Sequence, residues 1–108
     1  MNSYNKYTDL QINELVATRL KKKCLLTEES VLAYMDSGYR TFDPCNNPTD
    51  AMPIIIENKI GMNFIGNIVG WSASHICESK GELEVYDKNY YRAAMTCFLI
   101  MKDAENEG

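Results

Sequence analysis

The chain has 108 residues, of which 45% are hydrophobic and 24% are charged, and its net charge is −4. This length suits one domain, predicted to comprise residues 1–108, and the hydrophobic content excludes a disordered chain. An acidic balance argues against direct nucleic-acid binding, and no apolar run approaches the ~20 residues of a membrane span. The opening residues lack a secretion signal, so we expect a cytoplasmic protein whose cysteines are free thiols.

The first predicted element is a helix at residues 9–22. Thr8 and Gln11 form a capping-box pattern at its start. Ile12, Val16 and Leu20 share one face at helical spacing, and Asn13 falls outside that face. The basic residues near its end suit the negative pole of the helix dipole, which explains them without a ligand.

A β-hairpin is predicted at residues 30–42, where two β-rich runs flank a turn that contains Gly38. Turn and cap residues then fill positions 43–50 and lead into a helix that ends near residue 58. Two starts are open for this helix. An N-cap at Asp50 places Pro53 in the first turn, whereas an N-cap at Asn47 places Pro48 at the favoured first position and Pro53 inside the helix.

A second hairpin is predicted at residues 61–76, with Gly66 and Asn67 as a two-residue turn. Its second strand alternates, so that Trp71, Ala73 and His75 share one face. Residues 77–88 read as a polar loop with room for one short strand around Leu83 and Val85.

The last predicted element is a helix at residues 90–103, followed by a frayed tail at residues 104–108. This helix is apolar around most of its girth, so it must pack on the sheet and on a further partner. That partner is another helix or a second protomer, and we predict a homo-oligomer formed through this helix. The order α-ββ-α-ββ-α predicts an α+β fold with one four-stranded antiparallel sheet covered by helices.

Motifs for catalysis are absent from the sequence. It contains neither a P-loop nor a G-x-G-x-x-G, and its cysteines and lone histidine do not follow a zinc pattern. His75 and Cys77 lie two apart on a strand, which by itself is weak support for a metal or a nucleophile–base pair. We therefore predict no catalytic residue, no metal and no cofactor.

The loop at residues 43–50 is the best candidate for ligand binding, because it is polar and ends at a helix N-terminus, where N–H groups can bind anions. Arg92 could add a phosphate contact, and Trp71 or Tyr39 could stack on a base. The competing interpretation is a plain turn and helix cap. The loop's candidate residues are Asp43, Asn46, Asn47, Thr49 and Asp50.

Two runs carry a family resemblance. Residues 42–60, FDPCNNPTDAMPIIIENKI, and residues 91–101, YRAAMTCFLIM, resemble the NinX-like family of small phage and prophage proteins. Residues 7–20 and 71–74 fit that family too, with departures at Met52, where members usually carry an aromatic, and Tyr91, where they often carry leucine. The layout is also similar to phage ABA-sandwich domains. The resemblance implies a phage accessory protein and supplies no activity.

Three functions follow as hypotheses. The first is a non-enzymatic protein that sequesters a nucleotide-type ligand and so counters host defence. The second is a module that binds and inhibits a host or phage protein, since tyrosine and methionine favour interfaces. The third, with least support, is a small nuclease or nucleotide hydrolase, which would need titratable residues that converge in one pocket.

Overall fold

A computed structural model describes residues 4–35, 38–79 and 81–106, and in this part of the chain the predicted α+β class is confirmed. Two of the residues predicted to form the first hairpin turn, 36 and 37, lie outside this range, as do residue 80 and tail residues 107–108. The elements in chain order are α1 (Asp9–Arg19), β1 (Cys24–Leu26), β2 (Val31–Met35), β3 (Gly38–Thr41), α2 (Pro48–Glu57), β4 (Gly61–Gly66), β5 (Gly70–Cys77), β6 (Gly81–Asp87) and α3 (Tyr90–Asn106).

The single four-stranded sheet was a wrong prediction. The described residues form two antiparallel sheets of three strands, in the orders β1-β2-β3 and β4-β5-β6. Each predicted hairpin pairs with the strand next to it in sequence, β1 or β6, and not with the other hairpin. Short connections favour this arrangement because the entropy cost of closing a loop rises with its length.

β1 was not predicted, and Cys24 is its first residue. A compact turn joins β1 to β2. The Thr27 hydroxyl donates to the Ser30 carbonyl oxygen at 3.0 Å and accepts the Ser30 backbone N–H at 3.0 Å. β6 extends over residues predicted to be mainly a polar loop, and its Val85 is buried.

α1 begins with the predicted capping box between Thr8 and Gln11. It ends at Arg19 and not at residue 22, because Lys21 adopts a left-handed φ of 60°. The backbone N–H of Lys22 then donates to the Ala17 carbonyl oxygen, which closes the helix with a Schellman motif.

α2 resolves the choice between the two predicted starts. Asn47 is the N-cap, Pro48 is the first helical residue and Pro53 lies inside the helix. A second Schellman motif ends it, with Lys59 at a φ of 55° and the Ile60 N–H donating to the Ile55 carbonyl oxygen.

The turn of the second hairpin is longer than predicted. Residues 67–69 form it, and Gly66 pairs with Gly70 where β5 begins. Gly70 has a φ of 96°, and a Cβ there would lie 2.5 Å from the Cα of Lys88, so a glycine is required. The predicted alternation of Trp71, Ala73 and His75 holds in β5, where Ala73 is fully buried.

α3 continues to Asn106, so residues 104–106, predicted to be frayed, are helical. The helix packs on β5 and β6, on α1 and on α2. Residues 93–99 are all buried by this one chain. Its apolar girth is thus explained without a second protomer, and self-association through α3 stays a prediction. In the described residues no helix is long and apolar enough to cross a membrane.

Candidate functional site

The predicted binding loop lies where the N-termini of the three described helices meet. Asn46 makes the connection, because its side-chain amide donates to Asp9 of α1 and to Asp43, and its Oδ1 accepts from Asn89 before α3. Asn47 caps α2 by accepting the Thr49 N–H at 3.0 Å. The loop's side chains thus pair mainly with one another and with neighbouring helix starts.

Further contacts hold the base of the loop. The backbone N–H of Asp43 donates to Asp50 Oδ2 at 2.9 Å. Asn13 of α1, expected to lie away from the core face, is buried beneath the loop. Its amide donates to Asp43 Oδ1 at 2.7 Å, and its Oδ1 accepts the Cys45 N–H at 3.1 Å. Both ends of this buried amide are therefore satisfied.

Arg92 joins the same region, as predicted, but most of its N–H groups are already engaged. Nη1 donates to Asp9 Oδ1 at 2.7 Å and Nε donates to Asp87 Oδ2 at 3.1 Å. Nη2 donates to the carbonyl oxygens of Tyr4 and Tyr7 at 3.2 and 2.6 Å. Four of the five donors of a guanidinium are used in this way.

The charge of this cluster is negative, since Arg92 pairs with Asp9 and Asp87 while the carboxylates of Asp43 and Asp50 belong to the same hydrogen-bond network. A small cleft of about 160 Å³ opens beside Asp9, Asn13 and Asp43. It is smaller than the ~300 Å³ at which ligand pockets normally begin. The cluster therefore stabilises three helix starts and is poorly arranged to receive a phosphate.

The two predicted stacking residues lie apart. Trp71 packs between Phe64 and Tyr90, with ring centroids 5.2 and 4.9 Å away, and pairs across the sheet with Asp87. It thus borders the Arg92 cluster. Tyr39 lies on β3 in the other sheet, against Tyr34 at 5.3 Å.

Buried cysteines do not supply a nucleophile near the loop. Burial raises the pKa of the Cys45 thiol well above its usual range, and the Asp9 carboxylate raises it further. Burial also raises the pKa of Cys97 in α3 to about 12. Both thiols stay protonated near neutral pH, and a thiol is a weak nucleophile.

A larger groove lies at the other end of α3. Its volume is about 480 Å³, within the range of small-molecule sites. The walls come from the inward face of β5 and β6 and from the last turns of α3. The residues that line it are His75, Cys77, Ser79, Gly81, Glu82, Leu83, Ile100, Met101, Ala104 and Glu105.

His75 provides the groove with an unsatisfied polar atom. Its Nδ1 is shielded from solvent and has no hydrogen-bond partner within the described residues. Leaving a buried polar atom unpaired costs about 1–3 kcal/mol. A rotation of the His75 ring that exposed Nδ1 to a ligand atom in the groove would recover this free energy.

A protein-family model matches most of this chain. The model described as Bacteriophage P22, NinX matches residues 3–102. The chain belongs to the NinX family. Comparison with curated proteins gave no match. The NinX match covers the loop and His75, and it confirms the resemblance drawn from residues 42–60 and 91–101.

Sequence reasoning missed the groove of this NinX chain as a site. Its walls combine residues 75–83 with residues 100–105, which no local spacing connects. The available signal was the lone histidine on the inward face of a strand, together with Leu83 and Ile100 near the ends of their elements. Only the fold brings these residues together.

Proposed function

We propose that this small phage accessory protein is a non-enzymatic binding protein that sequesters a nucleotide-type ligand and so counters host defence. The observation that carries the proposal is the 480 Å³ groove with the unpartnered Nδ1 of His75. An apolar groove with a few convergent polar groups is the usual form of a small-molecule site. Membership in a phage family supports the biological setting.

The groove's chemistry favours a neutral heteroaromatic ring. Leu83, Ile100 and Met101 offer apolar surface for a ring. The Nδ1 of His75 can form one hydrogen bond with a polar atom of that ring. Glu82 and Glu105 on the rim would repel a phosphate. We therefore expect the base of a nucleotide to enter the groove and its phosphate to point to solvent.

The loop at residues 43–50 is the alternative position for the ligand. It has less support because Arg92 is occupied and the surrounding carboxylates oppose an anion. The two positions share no residue, so substitutions can separate them.

Calorimetric titration of the full chain tests the proposal. The probes are adenosine, guanosine and their 5′-monophosphates. We expect at least one nucleoside to bind with a dissociation constant below about 100 μM, and more tightly than its monophosphate. His75→Phe should weaken binding about tenfold because the hydrogen-bonding nitrogen is lost, whereas His75→Gln should restore part of it.

Asn46→Ala is the matched control in the loop and should leave the affinity unchanged. A loss of binding in Asn46→Ala but not in His75→Phe would move the site to the loop. If neither nucleosides nor monophosphates bind below about 100 μM, the proposal fails. Chromatography of the recovered probe should show it chemically unchanged, and hydrolysis would instead support the enzyme hypothesis.

A further inference from the structure

The β4–β5 hairpin has an unusual charge pattern. Between Lys59 and Glu78 the chain carries no Asp, Glu, Lys or Arg, although 24% of all its residues are charged. Large apolar side chains of this hairpin are nevertheless exposed, with Phe64 at 56% and Ile68 at 86% of their maximal exposure. Exposed large apolar side chains in a segment without charge favour association with another surface.

β4 is an edge strand without the usual protection. It lies at one end of the order β4-β5-β6, and its sequence GMNFIG has no charge and no proline. The opposite edge, β6, carries exposed Glu82 and Glu84. Charged residues on an edge strand oppose pairing with another chain, so β6 is protected and β4 is open.

We propose that two copies of this chain associate through their β4 edges, antiparallel, so that their β4-β5-β6 sheets join into one continuous sheet. An uncharged edge selects an uncharged partner surface, and a second hairpin supplies one. Each chain carries a net charge of −4, and contact through uncharged hairpins leaves the like charges of the two copies outside the interface.

The alignment follows from strand geometry. A two-fold axis normal to the sheet leaves the same face of both copies on the same side of the joined sheet. Even-numbered residues of β4 therefore lie opposite even-numbered residues of the second copy, and odd-numbered residues opposite odd-numbered ones. An axis at Asn63 places Met62 opposite Phe64 of the second copy, which is an apolar pair. This alignment centres on the part of β4 before its register shift between Phe64 and Gly66. Pairing of β4 with β6 would put carboxylates against an apolar edge, so the assembly closes as a dimer.

Sedimentation equilibrium of the full chain tests the dimer. We expect a species of twice the 12.3 kDa chain mass. Asn63→Lys puts two positive charges opposite each other at the axis and should raise the dissociation constant about tenfold or more. Asn63 is exposed, and circular dichroism should show an unchanged fold.

Asn5→Lys is the matched control, since it makes the same change at an exposed position outside the hairpin and should leave the dimer intact. Asn63→Cys should form an interchain disulfide on oxidation, because residues opposite one another across an antiparallel pair lie ~4.5–5.5 Å apart at Cα. A chain that stays monomeric up to about 1 mM overturns the proposal. So does a dimer that survives Asn63→Lys, which would indicate another interface such as α3.

Discussion

Arg92 connects three separate segments of the chain. Its guanidinium joins Asp9 at the start of α1, Asp87 at the end of β6 and the backbone of the segment before α1. Its side chain is only 14% exposed, so the guanidinium is largely shielded from solvent although its partner Asp9 is 40% exposed. A residue chosen from the sequence as a phosphate contact thus has a structural role that is sufficient to explain it.

Replacement of Arg92 by lysine should destabilise the fold by about 2–3 kcal/mol. Lysine keeps the charge but cannot reach two carboxylates and two carbonyl oxygens with one planar group, so some of them lose their partner. The free energy of unfolding from urea titration measures this. Arg40→Lys makes the same change at an exposed residue and should cost less than about 0.5 kcal/mol. Equal stability of the two variants would show that Arg92 does not organise the helix starts.

The sequence predicted the starts of α1 and α2 better than it predicted the end of α1. Thr8 with Gln11 and Asn47 with Pro48 are strong local signals, and the structure uses both. The stops are made by Lys21 and Lys59 in left-handed conformation, where glycine is usual. A lysine carries no sequence signal for that conformation, so the end of α1 was placed three residues too late.

Lys59→Gly should therefore stabilise the protein by about 0.5–1 kcal/mol. Glycine adopts the φ of 55° without the steric cost of a Cβ, and Lys59 is exposed, so little packing is lost. Thermal unfolding by circular dichroism should give a higher midpoint. Lys23→Gly serves as the control, because Lys23 is exposed but has no positive φ, and it should be neutral or destabilising. A lower midpoint for Lys59→Gly would contradict this account of the helix stop.

Strand partners were beyond the reach of local patterns. The alternation in β5 was visible in the sequence, and so was the possibility of a strand at Leu83 and Val85. Which strands share a sheet depends on competition between close and distant pairings, and one sequence does not rank these. The same limit applies to the groove, where His75 and Ile100 meet only because α3 packs along β5 and β6.

At the scale of the whole molecule, the two ends of the described chain are held together. Tyr4 is buried and its hydroxyl donates to Asp103 in the last turns of α3. Arg19 at the end of α1 donates to the other oxygen of Asp103 at 2.8 Å. One carboxylate thus connects the N-terminal segment, α1 and α3. Because the hydroxyl of Tyr4 donates one of these bonds, removal of its proton should lower the stability of the fold.

Burial and the bond to Asp103 raise the pKa of Tyr4 from 10.0 to about 12. The folded protein therefore keeps this proton at a pH where the unfolded chain loses it. The stability contributed by Tyr4 is complete below pH 10 and is lost as the pH rises from 10 to about 12. The loss should reach roughly 2–3 kcal/mol, at about 1.4 kcal/mol for each pH unit.

Urea unfolding of the native chain and of Tyr4→Phe between pH 8 and 12 measures this contribution, since other groups titrate equally in both. The native chain should be the more stable at pH 8, and its advantage should shrink steadily above pH 10. Asp103→Asn removes the charge that opposes ionisation of Tyr4, so its decline should still begin near pH 10 but should end at lower pH and be smaller. The difference in unfolding free energy between the native chain and Tyr4→Phe could instead stay constant up to pH 12. Tyr4 would then ionise as readily in the folded protein as in the unfolded chain, and the Asp103 contact would not hold the two ends together.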